Sequence, residues 1–361
     1  MLLVVVGTRP EAVKLRKVIE ALRAKSLSVT VLGTGQHTDL LAQTHLPIDH
    51  DLAIPNSGDP LQFGESVATA LRQYLYENAT VSEKVQAVVC QGDTASAWGA
   101  AKGGYAAGLP VIHIEAGVRS WDDQNPYPEE RFRREIDLLS DWHFCATKEN
   151  AENLVRENHT KLAHPHSYVV GNPGIDALYE NVTPQTKRER RVLVTLHRRE
   201  SFGAPLKAIF DGLVQATLAL QDREFWWPVH PNPAVRAVLP TLWNRPWPIP
   251  FLNGNFHLLD PMEPEAFQYA LARSQAVLTD SGGVQEEAAA LGIPCVVARD
   301  LTDRPESVAS GHAILAGRTS EGVRDGLIKA VRNGLNSTPF LGFGDGKASE
   351  RIADILAAHF S

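Results

Sequence analysis

Thr279-Asp280-Ser281-Gly282-Gly283-Val284-Gln285-Glu286-Glu287 joins an apolar run to an alanine-rich one. Residues 275–278 before it read as the end of a buried strand, and residues 288–291 after it read as helix. Gly282 and Gly283 let the backbone approach a ligand closely, and the amides that open the following helix favour a phosphate. Glu286 and Glu287 are expected in the first helical turn, where one of them can accept hydrogen bonds from a ribose. The segment reads as a site for the diphosphate and ribose of a nucleotide.

Strand and helix patterns alternate outward from this motif in both directions. Towards the N-terminus, strands are expected at 2–6, 28–32, 87–90, 110–114, 142–146 and 167–170, with helices at 10–24, 94–107 and 148–158. Buried strands alternating with helices imply a parallel sheet covered on both faces. The alternation pauses over the polar stretch 179–190, which contains Pro184 and is the candidate linker. It resumes with strands at 192–195, 225–229, 276–279 and 295–298 and helices at 206–220, 263–273 and 320–333. The stretch 243–250, rich in Pro and Trp, reads as a surface connection. The expected fold is α/β, with two Rossmann-like domains, 1–178 and 191–345, and a cleft between them. A last helix within 346–361 is a candidate to pack back on the first domain. Ligands in such sheets sit beyond the carboxyl ends of the strands.

The 361 residues suffice for two domains of ordinary size. A 43% hydrophobic and 21% charged composition fits a soluble globular chain. A net charge of −7 gives no reason to expect nucleic acid or an anionic membrane as partner. Phosphate-binding cations must therefore be local. Cys90, Cys145 and Cys295 stand far apart in apolar runs and read as reduced core thiols rather than a disulfide or metal site. Residues 1–6 lack a basic n-region and a cleavage site, so they read as a first strand. No apolar run approaches the roughly 20 residues that span a bilayer. A cytoplasmic location is expected.

The suggestive clusters fall where strands end. Gly7-Thr8-Arg9-Pro10-Glu11-Ala12-Val13-Lys14 follows the first strand. Gly7 permits the turn and Pro10 suits a helix start. Arg9 and Lys14 either meet an anion or base edge or are two solvated cations. In Gln91-Gly92-Asp93-Thr94, Asp93 is either a helix cap or a carboxylate facing the cleft. Glu115, in His113-Ile114-Glu115-Ala116-Gly117-Val118-Arg119-Ser120, should be paired or functional in so apolar a segment. Glu129 and Glu130 open a helix in Pro126-Tyr127-Pro128-Glu129-Glu130-Arg131-Phe132-Arg133-Arg134. They either complement its dipole or add a third carboxylate to the cleft. In the second domain, His197-Arg198-Arg199-Glu200 forms a plausible diphosphate grip. His230-Pro231-Asn232-Pro233 either lines the same cleft or has a structural histidine. No CxxC or HExxH spacing, no GxGxxG and no GxSxG is present, so neither a metal nor NAD is expected.

These motifs, in this order and over nearly the whole chain, resemble the non-hydrolysing bacterial UDP-N-acetylglucosamine 2-epimerases. Thr34-Gly35-Gln36-His37, Gly171-Asn172 and Arg304-Pro305-Glu306 add to the resemblance. It implies a GT-B-type architecture, no cofactor, a UDP-sugar substrate, a homodimer and a place in cell-envelope polysaccharide synthesis. It also implies reversible epimerisation at C2, with UDP eliminated and re-added through 2-acetamidoglucal. Matching motifs make Asp93, Glu115 and Glu129 the acid/base candidates, and His197 the histidine of the diphosphate and of catalysis. Arg9 resembles the residue near the uracil, Ser281, Gly282 and Gly283 the phosphate loop, and Glu287 the ribose carboxylate. Lys14, Arg133, Arg198, His230, Asn232 and Arg304 complete the expected substrate-binding set.

Three positions depart from the family pattern. Phe132 stands where Asn is frequent, which implies a changed environment for the sugar or phosphate. Gln91 stands where His is common. Thr38 replaces an Arg associated with a second, activating UDP-N-acetylglucosamine, which implies weakened or absent activation. The rival readings are an epimerase of a related UDP-diacetamido sugar, a hydrolysing epimerase and, more distantly, a GT-B glycosyltransferase. A non-catalytic sugar-nucleotide sensor is disfavoured by the three candidate carboxylates.

Overall fold

The computed structural model describes residues 1–36, 44, 46–55, 57–78, 84–157, 166–198, 201–230, 235–236 and 254–360. His37, Thr38, Arg199, Glu200, Asn232 and the stretch 243–250 lie outside the described residues. The chain divides into two compact units, Met1–Ala177 with Gly342–Ser361, and Leu178–Leu341.

The first unit holds a seven-stranded sheet in the order β3-β2-β1-β4-β5-β6-β7. Its strands are β1 (Leu2–Val6), β2 (Val29–Gly33), β3 (His50–Asp51), β4 (Ala87–Gln91), β5 (Val111–Ala116), β6 (Trp142–Cys145) and β7 (Ser167–Val169). Every pairing is parallel. β1, β4 and β5 are buried at every residue, as strands covered on both faces must be. The helices are α1 (Arg9–Ala24), α2 (Pro60–Glu77), α3 (Ala95–Ala106), α4 (Glu129–Leu139), α5 (Lys148–Arg156) and the start of α6 (Pro173–Asn181), which from Leu178 on belongs to the second unit. Ala12, Leu15, Val18, Ile19 and Leu22 form the buried stripe of α1, at helical spacing.

Helix α2 and strand β3 have no counterpart among the expected elements. The signals for α2 are local: Asp59 accepts the Leu61 amide at 2.8 Å, and Pro60 opens the helix. Phe63, Val67, Leu71 and Leu75 then line its buried face. α2 packs on α3 almost backbone to backbone. A Cβ on Gly64 would lie 2.3 Å from Trp98, and one on Gly99 would lie 2.4 Å from the Gly64 carbonyl oxygen. The stripe is partly glycine, which weakens an apolar pattern read from sequence alone.

The second unit repeats the topology. β8 (Arg191–Thr195), β9 (Glu224–Pro228), β10 (Phe256–Leu259), β11 (Ala276–Thr279), β12 (Cys295–Val297) and β13 (Ala313–Leu315) form a six-stranded sheet, ordered β10-β9-β8-β11-β12-β13. All pairings are again parallel. Its helices are α7 (Ala204–Ala219), α8 (Pro264–Arg273), α9 (Gly282–Leu291), α10 (Pro305–Ala309) and α11 (Ser320–Ile328). β10 and β13, two edge strands, are additional to the expected elements.

Three local readings need correction. α9 begins at Gly282, so Glu286 and Glu287 lie in its second turn rather than its first. The helix expected at 320–333 is regular only to Ile328 and continues as a π-type turn over Lys329–Asn333. α6 runs into the polar stretch 179–190, because Ile175 and Leu178 are buried although Glu180 and Asn181 after them are polar.

The last helix, α12 (Ala348–Phe360), belongs to the first unit. Ile352, Ala353 and Leu356 join the core beside α1. Asp176 accepts the amides of Ala348 at 3.1 Å and Ser349 at 2.6 Å and caps this helix. Both sheets reverse their winding at one place, between β1 and β4 and between β8 and β11. Beyond the carboxyl ends of those strands lie the expected ligand positions.

Candidate active site

In the first unit the β1–α1 and β4–α3 turns are joined by one buried carboxylate. Glu11 accepts the amides of Gly7 at 3.0 Å and Thr8 at 2.6 Å, and the hydroxyl of Thr94 at 2.6 Å. Burial pushes the Glu11 carboxyl up, against the lowering effect of these three hydrogen bonds and of a fourth from the Thr8 hydroxyl. Thr94, not Asp93, caps α3, accepting the Ala97 amide at 3.0 Å. Asp93 is thereby left to the other reading, a carboxylate at the strand end. It is 28% exposed and pairs with Arg133, whose Nη2 lies 2.6 Å away.

Glu115 occupies an unusual place. β5 slips register against β6 between Ile114 and Ala116, and Glu115 takes a φ of 69°. A non-glycine residue held in the left-handed region is strained, by about 1–3 kcal/mol, and such residues cluster at functional sites. The bulge also interrupts strand alternation, which re-aims the side chain. Its carboxylate takes a 2.5 Å hydrogen bond from Gln91 Nε2 and a salt bridge from Lys14. Lys14, a candidate for an external anion, is thus on a carboxylate of its own unit. Gln91, which departs from the family's frequent His, touches this acid.

Glu129 is the first residue of α4 and is half-buried. Glu130 is fully buried and accepts the amides of Ser120 at 2.9 Å and Trp121 at 3.0 Å. Glu130 therefore anchors the loop that precedes the helix. Arg133 is buried between Asp93 and Glu130. Phe132 does not face the site at all. It is 1% exposed and stacks on Trp98 with ring centroids 4.8 Å apart, so its departure is a matter of core packing. Arg9 opens α1 beyond β1 and is half-buried.

In the second unit, Asp280, directly after β11, is fully buried. It accepts the His197 amide at 3.0 Å and the Arg198 amide at 3.0 Å. His197 stacks on His230 with centroids 5.4 Å apart. Beside them α9 begins. Its N-cap Ser281 makes no side-chain cap bond, so that side chain does not cap the opening amides, and a helix start of this kind favours an anion. Gly283 is exposed, and a Cβ there would meet nothing within 4 Å. Glu287 accepts a 3.3 Å bond from Gln268. Arg304, 5% exposed, pairs with the carboxylates of Glu286 and Asp303. It stiffens the loop behind Gly282, whose Cβ position would lie 3.7 Å from the Arg304 guanidinium carbon.

Asp280, Glu11 and Gln91 were not singled out for a role in the sequence. Asp280 had a signal: an acid directly after an apolar strand and before Ser-Gly-Gly. The partners of Glu11 and Gln91 come from other strands, which no local pattern announces.

Two doubly wound nucleotide-type units, one with strand-end carboxylates and one with a glycine-rich helix start, define a GT-B-like sugar-nucleotide enzyme class. The family description of UDP-N-acetylglucosamine 2-epimerase matches residues 20–357. The UDP-N-acetylglucosamine 2-epimerase of Bacillus subtilis strain 168 is 33% identical, over 99% of this chain and 94% of its own. The structure of the Neisseria meningitidis UDP-GlcNAc 2-epimerase bound to UDP-GlcNAc superposes with a TM-score of 0.86 at 30% identity, covering 99% of this chain and 100% of that one. The Methanocaldococcus jannaschii UDP-GlcNAc 2-epimerase, in complex with UDP-GlcNAc and UDP, gives a TM-score of 0.83 at 30% identity, covering 99% of each chain. This chain belongs to the UDP-N-acetylglucosamine 2-epimerase family. No helix among the described residues is long and apolar enough to cross a membrane.

Proposed function

We propose that this protein interconverts UDP-N-acetylglucosamine and UDP-N-acetylmannosamine without net hydrolysis. The observation that carries the reading is Glu115: a buried acid in a strained backbone, at the end of a central strand, held by Lys14 and Gln91. A second acid, Asp93, stands in the turn just beyond the end of the neighbouring strand β4.

A base removes the C2 proton while the C1–oxygen bond breaks, and UDP departs with the bonding pair. The ring is left as 2-acetamidoglucal. UDP then attacks C1 again, and an acid delivers a proton to the opposite face of C2. The C2 proton is not acidic, so the departing diphosphate and the cationic sugar must both be stabilised. Proton transfer at two faces needs more than one group, and Asp93, Glu115 and Glu129 are the candidates. In the UDP part we assign Ser281, Gly282 and Gly283 to the phosphates, Glu287 to the ribose and Arg9 to the uracil. His197, oriented through Asp280, serves the diphosphate with Arg198 and His230. Lys14, Arg133 and Arg304 act through the carboxylates they hold.

Proton NMR with UDP-N-acetylglucosamine in deuterated water tests the reading. The expected result is UDP-N-acetylmannosamine with loss of the C2 proton signal. Free N-acetylmannosamine and UDP would instead mean a hydrolysing enzyme. An unchanged spectrum would count against the simple substrate.

A further inference from the structure

Below Glu115 lies a second carboxylate that the proposed chemistry does not use. Asp137, on α4, is 1% exposed. Its Oδ1 lies 2.6 Å from His113 Nδ1. Its Oδ2 accepts the Gly117 amide at 3.2 Å and Arg119 Nη2 at 2.7 Å. These three partners are residues −2, +2 and +4 from Glu115 in the chain, so they bracket the bulge. Gly117 is fixed on its other side too: a Cβ there would lie 2.1 Å from the Asn150 carbonyl oxygen, and its own carbonyl accepts Asn153 Nδ2 at 3.1 Å. The other ring nitrogen of His113 lies 2.8 Å from the Gly92 carbonyl, next to Asp93.

We propose that Asp137 is the positioning residue of the sugar site, holding the Gly117 amide on one side of Glu115 and the His113 ring on the other and, through His113, the turn that carries Asp93. The proposal rests on the reading of Glu115 and Asp93 as acid/base groups. A relaxed bulge would rotate the Glu115 carboxylate away from Lys14 and Gln91, because a left-handed φ persists only where its surroundings enforce it. Arg119 secures the carboxylate in turn, and is itself held by Glu157 Oε1 at 3.0 Å. Burial alone would raise the Asp137 carboxyl, but Arg119 and then His113 outweigh burial and hold it well below the usual carboxylate range. The ionised carboxylate needed to accept all three bonds is therefore the stable form.

The test is Asp137→Asn in the full chain. C2 exchange and epimer formation are followed by proton NMR, UDP affinity by calorimetry, and the φ of Glu115 by a crystal structure. We expect kcat to fall about 100-fold, the order of effect that a misplacement of roughly 1 Å brings. KM and the UDP Kd should stay within about threefold, since only an interaction of the transition state is lost. Glu115 should leave the left-handed region. Wild-type kcat, or rate and UDP-binding capacity falling together, would overturn the inference, the second outcome marking a merely structural role. If Asp137→Asn does not fold, His113→Asn decides, because it keeps a donor towards Asp137 and gives up the bond to Gly92. A lowered kcat with intact UDP binding supports the inference, and wild-type kcat overturns it. Glu115→Gln, measured alongside, separates the two readings. Full activity in that variant removes Glu115 as acid or base, and the φ of Glu115 in Asp137→Asn then decides the positioning claim alone.

Discussion

The buried carboxylate of Asp280 accepts the backbone amide of His197 at 3.0 Å and lies 3.5 Å from Nδ1 of the same residue. One acid thus meets both the chain and the ring of the histidine that follows β8. Asp280→Asn replaces an acceptor oxygen by a donor facing amides. Loss of a charge-assisted bond costs about 1.5–3 kcal/mol. Urea denaturation should show that cost in the second unit, and calorimetry should show UDP binding at least about tenfold weaker. Unaltered affinity would separate His197 from the diphosphate.

Glu115→Gln keeps the side chain's shape and its bond from Gln91 or Lys14 but cannot take a proton. General acid–base groups contribute about 10²–10⁴ in rate. We expect turnover and C2 exchange to fall within that range while UDP affinity is retained. Intact turnover would reassign the base to Asp93 or Glu129.

Gly283→Ala separates fold from ligand. The added methyl has open space around it, so stability should change by less than about 1 kcal/mol. The methyl occupies the approach to the first amides of α9, where a phosphate would sit. UDP affinity should drop about tenfold, or 1.4 kcal/mol. A variant that binds UDP normally would move the phosphate elsewhere.

The Asp137 network also sets an acid limit on stability. The folded chain holds the Asp137 carboxyl below its ordinary value, so the unfolded chain takes up the proton first as pH falls. The stabilisation is full above the unfolded value, near 3.9, and is lost as pH drops from there towards the lower folded value. The stability difference between wild type and Asp137→Asn should therefore be constant from pH 7 to about 5 and shrink below about 4. Arg119→Met strands Asp137 and Glu157 without their shared guanidinium and should cost about 3–5 kcal/mol at pH 7. Equilibrium denaturation across pH measures both.

Thr38 leads to a kinetic expectation. The family resemblance associates an Arg at that position with an activating second substrate molecule. Reverse-direction kinetics from UDP-N-acetylmannosamine should be hyperbolic here, with no stimulation by traces of UDP-N-acetylglucosamine. Sigmoidal curves abolished by such traces would show that activation survives without the Arg.

Much of the fold was open to reading because buried parallel strands are continuous apolar runs. Leu2–Val6, Ala87–Gln91 and Ala276–Thr279 needed no tertiary information. Helix α2 escaped because Gly64, demanded by its close approach to α3, takes a place in its buried stripe and weakens the apolar pattern. β3 has two residues and both are exposed, so it carries no pattern of its own. At the site, the motif acids could be named but not sorted. Asp93 and Thr94 are both plausible caps by type, and only the Thr94 bond to Ala97 decides between them.

By itself the chain determined its α/β class, the strand ends where chemistry gathers and the family to which it belongs. These follow from short-range patterns, since apolar periodicity and turn residues act over a few positions. The tertiary structure alone decided which charges meet. Lys14 reaches Glu115 across 101 positions and Asp280 reaches His197 across 83, separations over which sequence carries no distance information. It also turned Phe132 into the core and bent β5 at Glu115, because packing against Trp98 and a bracket of bonds to Asp137 outweigh the local preferences of both residues.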